Sequence, residues 1–142
     1  MRPMFYILDN DKNPIPVEDI MQARELLSDA GARRVGFDTI FVEDYGITII
    51  VSTVFLVTDY NHSPVGNAVL FESMIFNGEL NLSLERYCTW KEAEAGHEKM
   101  VELVKNNLWM SRVLDKVSAK TSNSKTITKK ISQALQKALH QN

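Results

Sequence analysis

Three stretches decide the fold of this chain: residues 47–55 (ITIIVSTVF), 67–76 (NAVLFESMIF) and 84–92 (LERYCTWKE). The first two are apolar runs of strand length into which a few polar residues are set. The third begins as a strand and ends in a helix signal. We therefore expect a sheet built from neighbouring strands, with a helix that follows directly and packs back onto it.

Two short signals fix the connections between these stretches. Asn77-Gly78 favours a hairpin turn, because both residues tolerate the positive φ that a type I′ turn needs. Thr89 and Glu92 form a capping box, in which the threonine hydroxyl and the glutamate side chain each bond an unpaired amide of the first helical turn. A helix is therefore predicted to begin at Trp90.

Working outward, the sequence predicts further elements on both sides. The turn residues at 9–14 and 43–46 separate a short first strand, a helix ending near Gly31, and the first strands of the sheet. The predicted elements are strands at Met4–Leu8, Arg33–Ile40, Ile47–Asp59, Asn67–Phe76 and Leu80–Cys88, and helices at Val17–Ala30, Trp90–Leu108 and Thr126–Leu139. This pattern predicts an α+β fold with a mostly antiparallel sheet of about five strands and a helix across it.

Charge divides the chain into a core of residues 1–108 and a tail of residues 109–142. The core holds 9 basic and 17 acidic residues, whereas the tail holds 7 basic residues and only Asp115 as an acid. The tail also carries an amphipathic helical stripe, formed by Ile127, Ile131, Ala134, Leu135 and Ala138. A lone helix of this length is marginal in water. We therefore expect the tail to mediate self-association, most simply as a dimer.

The alternative for the tail is nucleic-acid binding through its lysines. The candidates are Lys125, Lys129, Lys130 and Lys137. Binding of this kind is driven by neutralised phosphates and is sensitive to salt.

Several classes of protein are disfavoured by composition. No apolar run approaches the length needed to span a bilayer, and charge follows the N-terminus too soon for a signal-peptide core. A single cysteine, Cys88, cannot form an internal disulfide and suits a reducing cytoplasm. Three scattered histidines make a zinc site improbable, and the Asp9–Asn13 spacing lacks the glycine and glutamate of a calcium loop. We expect no metal, no cofactor and a cytoplasmic location.

Polar residues inside the apolar elements are the candidate site. Because strand side chains alternate, Glu72 is grouped with the apolar residues Leu70, Met74 and Phe76, and His97 lies on the apolar stripe of its helix. Buried charges need partners, so Glu72, Arg86 and His97 are predicted to meet between sheet and helix, more often as a structural network than as a catalytic site. The candidate binding residues are Ser52, Thr53, Glu72, Arg86, Tyr87, Trp90 and His97, and the weak catalytic candidates are Asp59, Glu72 and His97.

Taken together, residues 51–56 (VSTVFL), 70–76 (LFESMIF) and 85–97 (ERYCTWKEAEAGH) resemble a family of small phage- and prophage-encoded proteins of uncharacterised function. Members of the family that it resembles contain the motifs VSTVFL, LFETM-V-F, ERYSTW-EA and GH. These motifs are usually preceded by a YILD-turn-PVPV segment, to which residues 6–9 and 14–17 of this chain are similar. The resemblance covers roughly residues 4–105. This chain departs from it at Thr58-Asp59-Tyr60 and at Val65-Gly66-Asn67, where the family often has Leu-Asp-His and Gly-Pro-Pro, so its ligand could differ.

The resemblance implies expression in a bacterial cytoplasm and, by analogy with other small phage proteins, action by binding. The leading hypothesis is an accessory protein that neutralises a host factor, a defence component or a nucleotide-type defence signal. The alternatives are a nucleic-acid-binding phage protein that uses the tail and a small metal-dependent hydrolase. Because the sequence contains no phosphate loop, nucleophile elbow or paired-cysteine motif, we regard a non-enzymatic role as the better hypothesis.

Overall fold

The computed structural model describes residues 2–120 and 124–140, and for residues 120 and 124–128 it describes the backbone alone. The fold is α+β, as predicted. The elements are β1 (Phe5–Leu8), β2 (Pro14–Val17), α1 (Ile20–Ser28), α2 (Ala30–Arg33), β3 (Arg34–Val42), a 3-10 turn (Glu43–Tyr45), β4 (Ile47–Phe55), β5 (Phe71–Phe76), β6 (Leu84–Tyr87), α3 (Trp90–Lys120) and α4 (Ser124–Leu139). The chain forms two compact units, residues 1–100 and residues 101–142.

The main sheet has four antiparallel strands in the order β3-β4-β5-β6, where about five were expected. The first strand, β1, pairs instead with β2 in a separate hairpin. Asp9 makes this hairpin, because its carboxylate accepts hydrogen bonds from the amides of Asp11 and Asn13 and so turns the chain back. The sequence analysis missed β2, which contains two prolines, a composition that suits an edge strand.

β4 shows why the sheet has two different faces. Along this strand, Ile49, Val51, Thr53 and Phe55 are buried, while Ile50, Ser52 and Val54 between them are half-buried. The same alternation runs through β5, where Phe71, Ser73 and Ile75 are buried. The side that carries these residues is called here the buried face, and the opposite side is called the open face.

The core lies on the buried face. The rings of Phe55 and Phe71 lie 5.2 Å apart, and Trp90 at the start of α3 meets Phe71 edge-on at 6.1 Å. The other buried members of this cluster are Tyr6, Ala23, Val57, Leu70 and Ala93. Helix α1 joins this cluster through Ala23 and packs beside β1 and β2, and the first turns of α3 join it through Ala93.

The predicted helix cap is present. Thr89 Oγ1 accepts a hydrogen bond from the amide of Glu92 at 3.1 Å, and the Glu92 carboxylate accepts one from the amide of Cys88 at 3.0 Å. The turn after β5 has positive φ at both Asn77 (71°) and Gly78 (75°), as predicted. The connection is longer than a two-residue hairpin loop, however, and β6 begins only at Leu84.

The second unit consists of the remainder of α3 and helix α4. In α4, Ile131, Leu135 and Leu139 are half-buried, whereas Lys129, Lys130 and Lys137 are exposed. The side chains of Lys125 and Ile127, named in the sequence analysis, lie outside the described part. In the described ranges, the structure contains no helix that is both long and apolar enough to cross a bilayer.

Candidate functional site

A continuous chain of polar side chains crosses the buried face beneath α3. Ser73 Oγ lies 2.6 Å from Thr53 Oγ1, and Thr53 Oγ1 lies 2.7 Å from His97 Nδ1. On its other side, His97 Nε2 lies 2.6 Å from Asp38 Oδ2. At the far end, the hydroxyl of Tyr87 forms a hydrogen bond with Ser73. These five residues, called here the buried polar chain, link three strands of the sheet to α3 and extend to β6.

The donors and acceptors of the buried polar chain fit together without conflict. The Asp38 carboxylate can only accept, so His97 Nε2 donates to it, and His97 Nδ1 shares a hydrogen bond with the Thr53 hydroxyl. The hydroxyl groups of Thr53, Ser73 and Tyr87 can each donate one hydrogen bond and accept others, so each contact in the row has a donor and an acceptor. Every polar atom in the row is satisfied, which offsets the cost of burying it.

Two glycines make room for the buried polar chain. A Cβ atom on Gly36 would lie 2.7 Å from Cδ2 and Cγ of the His97 ring, and a Cβ atom on Gly96 would fall within 2.1 Å of the Tyr87 hydroxyl oxygen. Gly36 sits beside the irregular pairing of β3 with β4, where the register shifts between Arg34 and Gly36. Glycine at these two positions therefore allows β3 to lie against the His97 ring and α3 to lie against Tyr87.

An acid, an imidazole and a hydroxyl in a row are also the parts of a nucleophilic triad. Here the hydroxyl groups are inaccessible, because Thr53 and Ser73 are both fully buried. A substrate cannot reach a nucleophile in this position. Asp38, with 54% of its side chain exposed, is the end of the chain that meets solvent. The arrangement therefore fastens α3 to the sheet and sets its position over β3 and β4.

The predicted cluster of Glu72, Arg86 and His97 is only partly correct. Glu72 and Arg86 pair at 2.9 Å, but they do so on the open face, and His97 lies on the buried face with Thr53 and Asp38. The error comes from the strand period. Both faces of β5 carry large apolar residues, so alternation alone does not say which set points to the core.

The Glu72–Arg86 pair is partly solvated, with 17% and 39% of the side chains exposed. The Arg86 guanidinium also lies 4.8 Å from the centre of the Tyr60 ring. Pairs in such positions contribute little, so we expect Arg86→Leu to lower the free energy of unfolding by less than about 1 kcal/mol. Urea unfolding of Arg86→Leu, with Glu72→Gln as the matched variant, measures this. A loss of several kcal/mol in either variant would contradict the partly solvated placement.

The open face is a layer of apolar side chains arranged in cross-strand rows. Phe37, Ser52, Met74 and Leu84 form one row, and Thr39, Ile50 and Phe76 form the next. Phe41 and Thr48 follow at one end, and Arg34, Val54, Glu72 and Arg86 close the other end. Charge is thus confined to one end of the open face, and the rest is apolar or carries hydroxyl groups.

The exposed apolar area on the open face is large. Phe41 is 63% exposed, Phe37 is 46% exposed and Phe76 is 37% exposed. With about 200 Å² for each aromatic side chain, these three rings alone leave roughly 300 Å² of apolar surface in water. Leu84, Ile50, Met74 and Val54 add to it. The largest apolar patch on a typical monomer is of about this size and is often functional.

An open cleft of about 440 Å³ adjoins the apolar end of this face. It is lined by Ile47, Thr48, Asn77, Gly78 and Asn81. The side-chain amide of Asn77 donates to the Thr48 carbonyl at 2.8 Å. This hydrogen bond holds the turn after β5 against β4, and the turn forms one wall of the cleft. The cleft therefore lies between the start of β4 and the turn after β5, and amide and hydroxyl groups contribute to its lining.

The remaining predicted site residues have structural contacts of their own. The Asp59 side chain is 5% exposed, and its Oδ1 accepts hydrogen bonds from the amides of Asn61 and Val69. Arg2 Nε lies 2.9 Å from Asp59 Oδ2 as an ion pair, without the alignment of a hydrogen bond. Asp59 therefore closes the base of the loop between β4 and β5. The catalytic candidates Asp59, Glu72 and His97 are thus not brought together.

Trp90 is held in place by packing and by two polar contacts. Its indole nitrogen donates to Glu94 at 2.6 Å, and the Lys12 ammonium lies 5.1 Å from the ring centre. The ring also packs on Phe71 in the core cluster. These contacts account for the tryptophan as a half-buried residue that packs against the core at the start of α3.

Tyr87 gives the buried polar chain a measurable pH dependence. Burial raises the pKa of the Tyr87 phenol above its ordinary 10.0, and the hydrogen bond with Ser73 partly offsets this rise. Because the folded state holds this proton more tightly, the contribution is fully present below pH 10 and is lost as the pH rises through the raised pKa. We expect wild type to lose more stability above pH 10 than Tyr87→Phe does, as measured by urea unfolding at each pH. Parallel stability curves for the two chains would contradict the buried placement of this hydroxyl.

Among the described residues, no group of three His, Cys, Asp or Glu side chains is placed to hold a metal ion. Burial, followed by the charge of Glu92, raises the pKa of the Cys88 thiol. Since the thiolate is the form that binds metals and attacks substrates, this cysteine is kept in its less reactive form.

The residues that the sequence analysis missed are Asp38, Ser73, Gly36 and Gly96. Gly36 carried a usable signal, since a glycine inside a strand pattern often marks a bulge or a close backbone approach. Ser73 carried a second usable signal, because it is a polar residue between Phe71 and Ile75 on the same face of the strand.

No family model matches this chain, and no curated protein or solved structure is significantly similar to it.

Proposed function

We propose that this protein acts by binding another macromolecule, and that the open face of its sheet is the binding surface. The observation that carries the proposal is the exposure of Phe37, Phe41 and Phe76 on one continuous apolar face. Exposed aromatic rings next to a polar rim are the usual anchors of protein interfaces. Their exposure to water is unfavourable in the free chain, and a partner that covers them removes that cost.

The chemistry of the surface favours a protein partner over a small polar ligand. The face spans the four strands of the main sheet, and its charges lie at one end in Arg34, Glu72 and Arg86. A matching partner presents an apolar patch flanked by charge. Following the resemblance to phage accessory proteins, we take this partner to be a host component in a bacterial cytoplasm, which the protein neutralises by occupying it.

Nucleic-acid binding is the second candidate, and one observation favours it. Lys129, Lys130 and Lys137 are all exposed on α4, in the basic part of the chain. Such binding would weaken steeply as salt is raised, whereas an apolar interface would not.

The test compares the material that three versions of the chain capture from the same lysate. The immobilised full chain, its Phe41→Lys variant and a Val65→Lys control are each exposed to bacterial lysate. Val65 is 73% exposed in the loop between β4 and β5, outside the strands that form the open face. We expect a protein that wild type and Val65→Lys retain and that Phe41→Lys loses.

Other outcomes would overturn the proposal. Equal retention by all three chains would mean that the open face is not the binding surface. Recovery of DNA or RNA that disappears at high salt would support the nucleic-acid candidate instead. Turnover of a substrate without any retained partner would favour the hydrolase.

A further inference from the structure

Strand β3 is an edge strand with an unpaired outer side. In the described part of the chain, β4 is the one strand that pairs with it. Edge strands present free amide and carbonyl groups to any other strand, and proteins usually protect them with charged side chains, proline, β-bulges or a covering element. From Gly36 to Val42 this strand reads GFDTIFV, which contains neither lysine nor proline. Its one charged residue, Asp38, is held by His97, and the register irregularity lies only at the start of the segment, between Arg34 and Gly36.

The pairing segment of β3 is sharply limited at both ends. The register irregularity between Arg34 and Gly36 ends it on one side. On the other side the chain enters the 3-10 turn at Glu43, followed by Gly46 in the left-handed conformation. The regular segment therefore runs from Gly36 to Val42, and its midpoint is Thr39. A segment closed at both ends suits one partner strand of the same length.

We propose that β3 pairs antiparallel with β3 of a second copy of this chain, with the twofold axis passing at Thr39. Only this register uses the whole regular segment of both strands. It places Phe37 opposite Phe41 of the second copy, twice by symmetry, and each Thr39 opposite the other. Aromatic pairs and threonine pairs are both favourable across antiparallel strands.

The neighbouring registers are poorer. Shifting the axis to Asp38 places the two carboxylates directly opposite each other, which is unfavourable. Shifting it to Ile40 brings Phe37 opposite Glu43 of the second copy, beyond the end of the strand. Charge and side-chain type thus select the Thr39 register, and a twofold contact of this kind closes on itself without extending into a fibre.

The paired sheet has a consequence for the open face. Residues that are paired across antiparallel strands point to the same side of the sheet. A twofold axis at Thr39 therefore places the open faces of both copies on the same side of a joined, eight-stranded sheet. This inference does not depend on what binds the open face. It also differs from self-association through the tail, for which α4 would be the contact.

Cross-linking tests the register directly. Residues opposite each other in antiparallel strands have Cα atoms about 4.5 or 5.5 Å apart, which a disulfide can bridge. In the full chain carrying Cys88→Ser, we expect Thr39→Cys to form an intermolecular disulfide with oxidised glutathione as oxidant. Thr48→Cys, an exposed threonine on the adjacent strand β4, is the matched control and should stay monomeric on a non-reducing gel.

Charge exchange tests the same contact without oxidation. Sedimentation velocity of wild type should show a mass rising with concentration toward twice 16.2 kDa. Thr39→Lys alone and Thr39→Glu alone should each weaken the dimer by about fivefold or more, and an equal mixture of the two should restore it. Circular dichroism confirms that each variant is folded.

Three results would overturn the inference. One is a wild-type chain that stays monomeric at every concentration. Another is a dimer that survives both Thr39 variants but is lost in the full chain carrying Leu135→Glu, which would assign assembly to α4. The third is cross-linking of Thr48→Cys as efficient as that of Thr39→Cys.

Discussion

Replacing Gly36 with alanine should lower the free energy of unfolding by about 2–3 kcal/mol, through the overpacking that an added methyl group causes in a closely packed site. The new Cβ atom would lie 2.7–2.8 Å from three atoms of the His97 ring. The ring cannot move aside freely, because Thr53 and Asp38 hold its two nitrogens. Relief of the clash therefore requires either a shift of β3 or the loss of a hydrogen bond.

Making the same substitution in a chain that lacks the His97 ring isolates this effect. With His97→Ala in place, the ring is gone and Gly36→Ala should cost little. The difference between the two backgrounds, measured by urea unfolding, is the coupling between the two positions. An equal loss in both backgrounds would mean that the clash with His97 is not the cause.

Thr53→Val should also lower the free energy of unfolding by about 2–3 kcal/mol, because it leaves buried polar atoms without a partner. Valine matches threonine in shape, so packing is preserved and only the hydroxyl is removed. His97 Nδ1 and Ser73 Oγ then both lose their hydrogen bond to Thr53. Urea unfolding of the variant measures the cost.

Ser52→Val is the matched control for Thr53→Val. Ser52 is the neighbouring residue on β4, but it lies half-buried on the open face. Valine there should change stability by less than about 0.5 kcal/mol, as is usual for surface substitutions. If Ser52→Val were the more destabilising of the two, the assignment of the two faces would be reversed.

Much of the local structure could be predicted from short-range chemistry. The capping box at Thr89 and Glu92 and the positive φ at Asn77 and Gly78 both occur as expected. They depend on residues within a few positions of each other, so the sequence contains the whole interaction. The α+β class follows from the same elements, since antiparallel strands with short connections leave one helix to cover the sheet.

The candidate site could not be predicted in the same way. Asp38 and His97 are 59 positions apart, and their contact depends on how β3 is placed against α3. No local pattern contains that information. The assignment of Glu72 failed for a related reason, since alternation in β5 is compatible with either face as the core.

The two faces of the sheet therefore have separate roles in this account. The buried face holds α3 through Thr53, Ser73 and His97, and these residues determine stability. The open face carries Phe37, Phe41 and Phe76, which contribute little to packing because they remain in contact with water. Substitutions on the open face should impair binding while leaving the unfolding midpoint close to that of wild type.

Hydroxyl-radical footprinting of the full chain, free and with its captured partner, tests this claim most directly, because it reports the solvent access of individual side chains. In the free chain we expect strong labelling of Phe41 and Phe76 and little labelling of Phe55 and Phe71. Addition of the partner should protect Phe41 and Phe76 and leave Trp109, which is 63% exposed in the second unit, labelled as before. Protection of Trp109 with unchanged labelling of Phe41 and Phe76 would contradict the account and would assign binding to the tail.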